Sequence, residues 1–199
     1  MNPKTTSSKK VLLIDGSGYI FRAYYALPEM KRPDGKHVNA VYGFISMLMK
    51  LIEDANADYF SVIFDTARKT FRTNIYPEYK ANRPPPPEDL IPQFELIREA
   101  VTALGVPQAE MEGYEADDVL GSLSCLAVRT GVRVVIVTGD RDLLQLVNEH
   151  VSVSLPGRSL ADAQLYGPSD VAHKYGVTPE QFVDYKALVG DKSDNIPGV

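Results

Sequence analysis

Three carboxylates, Glu115, Asp117 and Asp118, fall within four positions of the stretch GYEADDVLG. Acids this close raise one another's pKa unless a cation compensates. More acids stand at chosen places along the chain. Asp15 follows the apolar run VLLI, Asp65 follows SVIF, and Asp140 follows VVIVTG with Asp142 two residues on. No histidine or cysteine joins these clusters: His37, His150 and His173 are scattered, and Cys125 is the single cysteine. A donor set of oxygen alone suits Mg²⁺, Mn²⁺ or Ca²⁺ rather than zinc. The absence of a D-x-D-x-D-G loop disfavours Ca²⁺. Two divalent ions about 3.5–4 Å apart would account for so many acids, and such a pair is the apparatus of phosphodiester hydrolysis. The segment LVGDKSDNIPGV adds Asp191 and Asp194, which read beside the others as contributors to the second ion.

A site for a polyanion also needs cations. The net charge is −5, which by itself argues against a nucleic-acid surface, but the charges are unevenly spread. From residue 68 to 83 the chain carries Arg68, Lys69, Arg72, Lys80 and Arg83 against Glu78 alone. Phe71, Tyr76 and Tyr79 interleave with them, and aromatic faces with cations hold single strands without reading sequence. A solvated surface loop is the plainer alternative. Arg22 could meet a phosphate or equally form a surface ion pair. Gly16 and Gly18 are not followed by Gly-Lys-Ser/Thr, so they do not mark a P-loop and are expected to permit a close strand-to-helix turn.

The elements that must position these groups are legible in outline. Residues 11–14, 59–64 and 132–137 read as short buried strands, the last with a β-branched run. Between them, NAVYGFISMLMKLIEDA spaces Val41, Phe44, Ile45, Leu48, Met49 and Ile52 for one helix face. EDLIPQFELIREAVTALG and DDVLGSLSCLAVRTG read as helices ending on Gly105 and Gly131. Alternating strands and helices predict an α/β fold, a mostly parallel central sheet with helices on both faces. All the carboxyl ends of such a sheet lie along one edge, so the strand-end aspartates are expected to converge there. Pro84–Pro87 stops any helix, which makes residues 66–87 an excursion from the sheet. With 44% hydrophobic and 24% charged residues the chain can build a core. One cysteine excludes an internal disulfide and a cysteine-based metal site. No apolar run approaches the roughly 18 residues that span a bilayer, so no membrane partner is expected. The polar start, MNPKTTSSKK, leads into an apolar run too short for a signal-peptide core, and a cytoplasmic protein is the expectation.

Six segments, LLIDGSGYIFRAYYA, VIFDTARKTFR, YKANRPPPPEDL, GYEADDVLG, VTGDRDLLQLV and GDKSDNIPGV, run in order. Together they closely resemble the 5′-nuclease domains of bacterial DNA polymerases I, within the flap endonuclease superfamily. That resemblance implies a PIN-like 5′-nuclease fold with a helical arch, a disordered tail over residues 1–10 and a nuclease domain over 11–199. It implies that Asp15, Asp65, Glu115, Asp117 and Asp118 hold a first metal ion, and that Asp140, Asp142, Asp191 and Asp194 hold a second, some through water. Mg²⁺ is the implied ion, with Mn²⁺ able to substitute. Lys80 and Arg83 match the basic pair that reaches the scissile phosphate from the arch. Arg72 and Tyr79 match neighbouring arch positions, Tyr79 as an aromatic that stacks on substrate. The implied activity is a 5′→3′ exonuclease and flap endonuclease acting on DNA with a 5′ flap or free 5′ end and on RNA primer–DNA junctions, as a monomer beside the bacterial nucleoid. In the family the chain continues past the position of Val199 into a helix-hairpin-helix element and a polymerase domain. Three other readings stand beside this one: a non-catalytic DNA-binding module, a haloacid-dehalogenase-type phosphatase, and a PIN-type ribonuclease. The phosphatase would need an acid two residues after Asp15, where Ser17 stands.

Overall fold

The computed structural model describes residues 8–66, 69–157 and 162–199. Most of the expected N-terminal tail, and Arg68 of the basic stretch, lie outside the described residues. The chain runs β1 (Lys10–Asp15), α1 (Gly16–Ala26), α2 (Asn39–Asp54), β2 (Tyr59–Ile63), α3 (Phe71–Ile75), α4 (Ile91–Ala103), β3 (Gln108–Ala109) and α5 (Ala116–Arg129). It continues through β4 (Arg133–Val137), a 3₁₀ turn (Arg141–Leu146), β5 (Val151–Leu155), β6 (Gln164–Tyr166), α6 (Pro168–Tyr175) and α7 (Phe182–Val189).

The sheet order is β3-β2-β1-β4-β5-β6. Every pairing is parallel except β5 with the edge strand β6. The expected α/β architecture is therefore present, and β1, β2 and β4 are the strands anticipated from their short apolar runs. Alternate residues of each strand face opposite ways. Leu13, Ile63, Val134 and Ile136 pack on one face with Leu120 of α5, Val171 of α6 and Phe182 of α7. Leu12, Ile14, Val62 and Val137 pack on the other with Ile20 of α1, Phe44 and Leu48 of α2, and Ile97 of α4. Truncating a side chain as enclosed as Phe44 (1% exposed) costs about 3–5 kcal/mol. Two apolar layers thus clamp the sheet, and its carboxyl edge is fixed in space.

Helix ends follow the expected chemistry. Gly105 and Gly131 lie just past α4 and α5 with φ of +70° and +78°, conformations that glycine adopts without strain. Gly16 matters for a different reason: a Cβ there would sit 2.5 Å from the Phe64 ring, so only glycine lets α1 leave β1 against β2. Among the described residues the excursion between β2 and α4 is mostly turns, with α3 its one helical piece and an extended proline run at its end. Pro77 and the left-handed Lys80 (φ +56°) prevent a longer helix there, so the helical arch implied by resemblance is only partly helical in this chain.

Candidate active site at the carboxyl edge of the sheet

The end of β1 sets the first carboxylate. Asp15 is the N-cap of α1: its Oδ1 accepts from the Gly18 amide at 2.9 Å, and its Oδ2 accepts from the Thr138 hydroxyl at 2.9 Å. Asp65, two residues past β2, accepts through Oδ1 from the amide of Ala116, the first residue of α5, at 2.7 Å. Its own amide donates to Ser17 Oγ at 2.9 Å. Glu115 is the N-cap residue of α5, and Asp118 accepts from the Glu115 amide at 3.0 Å, so the helix start orients both. Asp140 caps the 3₁₀ turn by accepting from the Asp142 amide at 2.8 Å. These acids are presented by strand ends and helix starts.

Seven of the nine expected ligands, Asp15, Asp65, Glu115, Asp117, Asp140, Asp142 and Asp191, line one cleft of about 560 Å³, with Lys80 and Arg83 at its wall. Asp118 and Asp194 face an adjoining cavity that shares Glu115, Asp117 and Asp142 with the first. Basic partners hold five of the acids. Arg72 forks onto Asp118 at 2.6 and 2.8 Å. Lys80 Nζ lies 2.8 Å from Glu115 Oε2 and 3.9 Å from Asp194. Arg83 pairs with Asp194, and Lys186 bridges Asp142 at 2.7 Å and Asp191. The Tyr79 hydroxyl donates toward Glu115 (3.1 Å) and Asp194 (3.0 Å). Arg22 is not brought to the cleft; its guanidinium donates to the Gly157 carbonyl at 2.7 Å.

Electrostatics divide the acids. Burial pushes Asp15 up to about 6, with the charges of Asp65 and Asp140 adding to it and the Gly18 and Thr138 hydrogen bonds opposing. Burial also drives Asp117 well above the usual carboxylate range, reinforced by Asp140 and Asp15. Asp117 accepts no hydrogen bond among the described residues. Asp118 goes the other way: burial disfavours its charge, but the Arg72 fork and the Glu115 amide hold it below the usual range. Asp191 is likewise held low against burial by Lys186 and Ser193. Burial lifts the Tyr79 phenol, and Glu115 and Asp194 lift it further, so it stays protonated as a donor.

Among the described residues no three acidic, histidine or cysteine side chains converge on one point as a ready-made ion cage. Five acids are turned to basic partners instead. The donor chemistry nevertheless fits divalent cations of the magnesium type. Every donor is a carboxylate oxygen, and Asp15, Asp65, Asp117 and Asp140 have no ion pair among the described residues. Burial raises the pKa of Asp15 and of Asp117, and neighbouring acids add to it, with Lys80 only partly offsetting the shift at Asp117.

Sequence reasoning missed Lys186 and Thr138. Lys186 sits on α7, five residues before Asp191, and its contact with Asp142 of the 3₁₀ turn marks it. Thr138 follows β4 and accepts from the Asp140 amide at 2.9 Å while donating to Asp15, linking two strand ends. Its place in VTGD was the available signal.

Comparisons with known proteins show the family and the fold. The family described as "5'-3' exonuclease, N-terminal resolvase-like domain" matches residues 10–176. The DNA polymerase I of Bacillus caldotenax is 47% identical over 191 residues, covering 96% of this chain and 22% of that protein. The chain thus spans about a fifth of the length of that relative. A bacteriophage T5 D15 flap endonuclease structure, a complex with DNA and metal ions, superposes with a TM-score of 0.76 at 26% identity, covering 96% of this chain and 70% of that one. Human GEN1, in complex with Holliday junction DNA, shares the fold at 14% identity, with a TM-score of 0.62 and coverage of 96% and 47%.

Proposed function

We infer, from a chain that belongs to the family of 5′-3′ exonuclease N-terminal resolvase-like domains, that its cleft hydrolyses phosphodiester bonds near the 5′ ends of nucleic acids. The observation that carries this reading is the convergence of seven carboxylates on one cleft with Lys80 and Arg83 in its wall. Two divalent ions, magnesium with manganese as a substitute, would supply a bound water of lowered pKa and a clamp on the attacking and leaving oxygens.

The chain's own residues do the rest. Asp15, Asp65, Asp117 and Asp140 would hold the cation nearest the strand ends, since no basic side chain pairs with them. Asp142, Asp191 and Asp194 would hold the other, with Glu115 and Asp118 at the boundary between the cavities. Lys80 and Arg83, in the cleft wall, would meet the scissile phosphate and offset the charge that builds on it. Phe21 lines the same cleft and offers an apolar wall to a sugar or base. Tyr79 and Arg72 line the adjoining cavity and would meet the strand there.

The substrates proposed are DNA with a 5′ flap or free 5′ end and RNA primer–DNA junctions, cut by a monomer in the cytoplasm near the nucleoid. In the whole protein a polymerase domain is proposed to follow, as in the bacterial relatives. A panel of substrates labelled at the 5′ end tests the reading: flap DNA, RNA-primed DNA and single-stranded RNA, each with Mg²⁺ and with EDTA. Short labelled products from the first two, formed only with Mg²⁺, are expected. Cleavage of RNA alone, or cleavage that survives EDTA, would overturn it.

A further inference from the structure

The arch does more than carry cations; it is docked. Five hydrogen bonds tie residues 76–83 to the loop 192–195 without using any carboxylate. Tyr76 donates to the Asn195 carbonyl (3.2 Å), and Asn195 Nδ2 donates to the Glu78 carbonyl (2.9 Å). The Lys80 amide donates to the Asp194 carbonyl (3.0 Å). Asn82 Nδ2 donates to the Lys192 carbonyl (2.7 Å), and Arg83 Nε to the Ser193 carbonyl (3.2 Å). The loop is itself closed by paired amide bonds of 2.8 Å between Asp191 and Ile196.

Strain is stored at the meeting points. Three described non-glycine residues have positive φ, and two of them, Lys80 (+56°) and Asn195 (+60°), belong to the two segments that meet here. Such conformations persist only where the surroundings over-determine them. The docked arch therefore selects one geometry, and that geometry sets Lys80 against Glu115 and Arg83 against Asp194.

We propose that Asn82 and Asn195 are positioning residues that clasp the arch to the ligand loop, so that Lys80 and Arg83 act as internal counter-ions of Glu115 and Asp194 until a divalent cation takes their place. The proposal rests on the metal-dependent reading above. While Lys80 and Arg83 pair with Glu115 and Asp194, their charge is offset and only partly available to a substrate phosphate. When Glu115 and Asp194 turn to a divalent cation, both basic side chains are released toward the strand in the cleft, and the clasp loses its ionic half. Metal loading and arch opening are then one linked equilibrium, and linkage is reciprocal. A loosened clasp must bind metal more tightly, and bound metal must loosen the clasp.

The test uses the 199-residue chain and MnCl₂, with calorimetry for affinity and hydrogen exchange for the arch amides. In the wild type, saturating Mn²⁺ is expected to speed exchange of the Lys80 amide about tenfold or more. The pair Asn82→Ala and Asn195→Gly, which keeps the left-handed turn accessible, is expected to lower the Mn²⁺ dissociation constant about fivefold. Asn82→Ala alone, at an exposed position, should move it the same way by less. General damage to the fold would weaken binding instead, so the direction separates a clasp from mere structural support. Unchanged or weaker Mn²⁺ affinity in both variants, or slower or unchanged Lys80 exchange on saturation, overturns the clasp while leaving the metal site standing. No Mn²⁺ binding in any form would overturn both.

Discussion

Replacing Asp15 with asparagine removes a charge that the folded protein holds at a cost. Asp15 is 6% exposed, and its carboxyl rises from 3.8 to about 6 on folding. A carboxyl raised in the folded state binds more protons there than in the unfolded chain. Stability therefore falls as pH climbs from about 4 to about 6 and is level above that. At 1.36 kcal/mol per unit, ionised Asp15 costs about 3 kcal/mol at pH 8, of which about 1.6 kcal/mol is already present at pH 5. Asparagine has no such pH dependence, although it keeps only one acceptor for the Gly18 amide and the Thr138 hydroxyl. That lost hydrogen bond is a constant offset, so the difference between two pH values isolates the charge. Urea denaturation in EDTA should show Asp15→Asn gaining about 1.4 kcal/mol on the wild type between pH 5 and pH 8. With saturating Mg²⁺ at pH 8 the wild type should recover the advantage, because its carboxylate then has a cation. An offset between the two proteins that stays the same at pH 5 and pH 8 would refute the reasoning.

Other perturbations follow from the same contacts. Arg72→Met leaves Asp118 beside the start of α5 without its fork, and a loss of about 1–2 kcal/mol is expected by urea denaturation, softened by partial exposure of the pair. Gly16→Ala forces a methyl against the Phe64 ring and should cost about 1–3 kcal/mol, read as a lower unfolding temperature. Thr138→Val keeps the shape but removes the donor to Asp15 and the acceptor for the Asp140 amide. It should cost about 1–3 kcal/mol and weaken Mg²⁺ binding in calorimetry, since both strand-end acids lose their alignment.

The central strands were legible because VLLI, YFSVIF and VRVVIV are apolar runs too short for helices, each followed within three residues by an aspartate. That same punctuation made Asp15, Asp65 and Asp140 readable as neighbours before any coordinates. β5 was not legible: VSVSL alternates with serine, and its pairing to β4 is a long-range choice that local pattern does not encode. β3 has only two residues and owes its place to β2. The arch was visible as a basic, proline-ended excursion, but its turns and left-handed Lys80 follow from docking on residues 192–195, more than a hundred positions away. Arg22 misled because a helix position near a site says little about where a long side chain turns. Lys186 was hidden for the converse reason, since its role depends on Asp142 from another element.

These acids are proposed to tolerate one another because divalent cations bind among them. Titration of Mn²⁺ into the wild type and into Asp117→Asn, followed by calorimetry, tests that claim most directly. Asp117 has no hydrogen-bond donor among the described residues and the charges of Asp15 and Asp140 nearby, so a cation is its natural partner. Two bound ions in the wild type, with one lost or weakened about tenfold or more in the variant, is the predicted result. Equal stoichiometry and affinity in both proteins, or no binding in either, would contradict it.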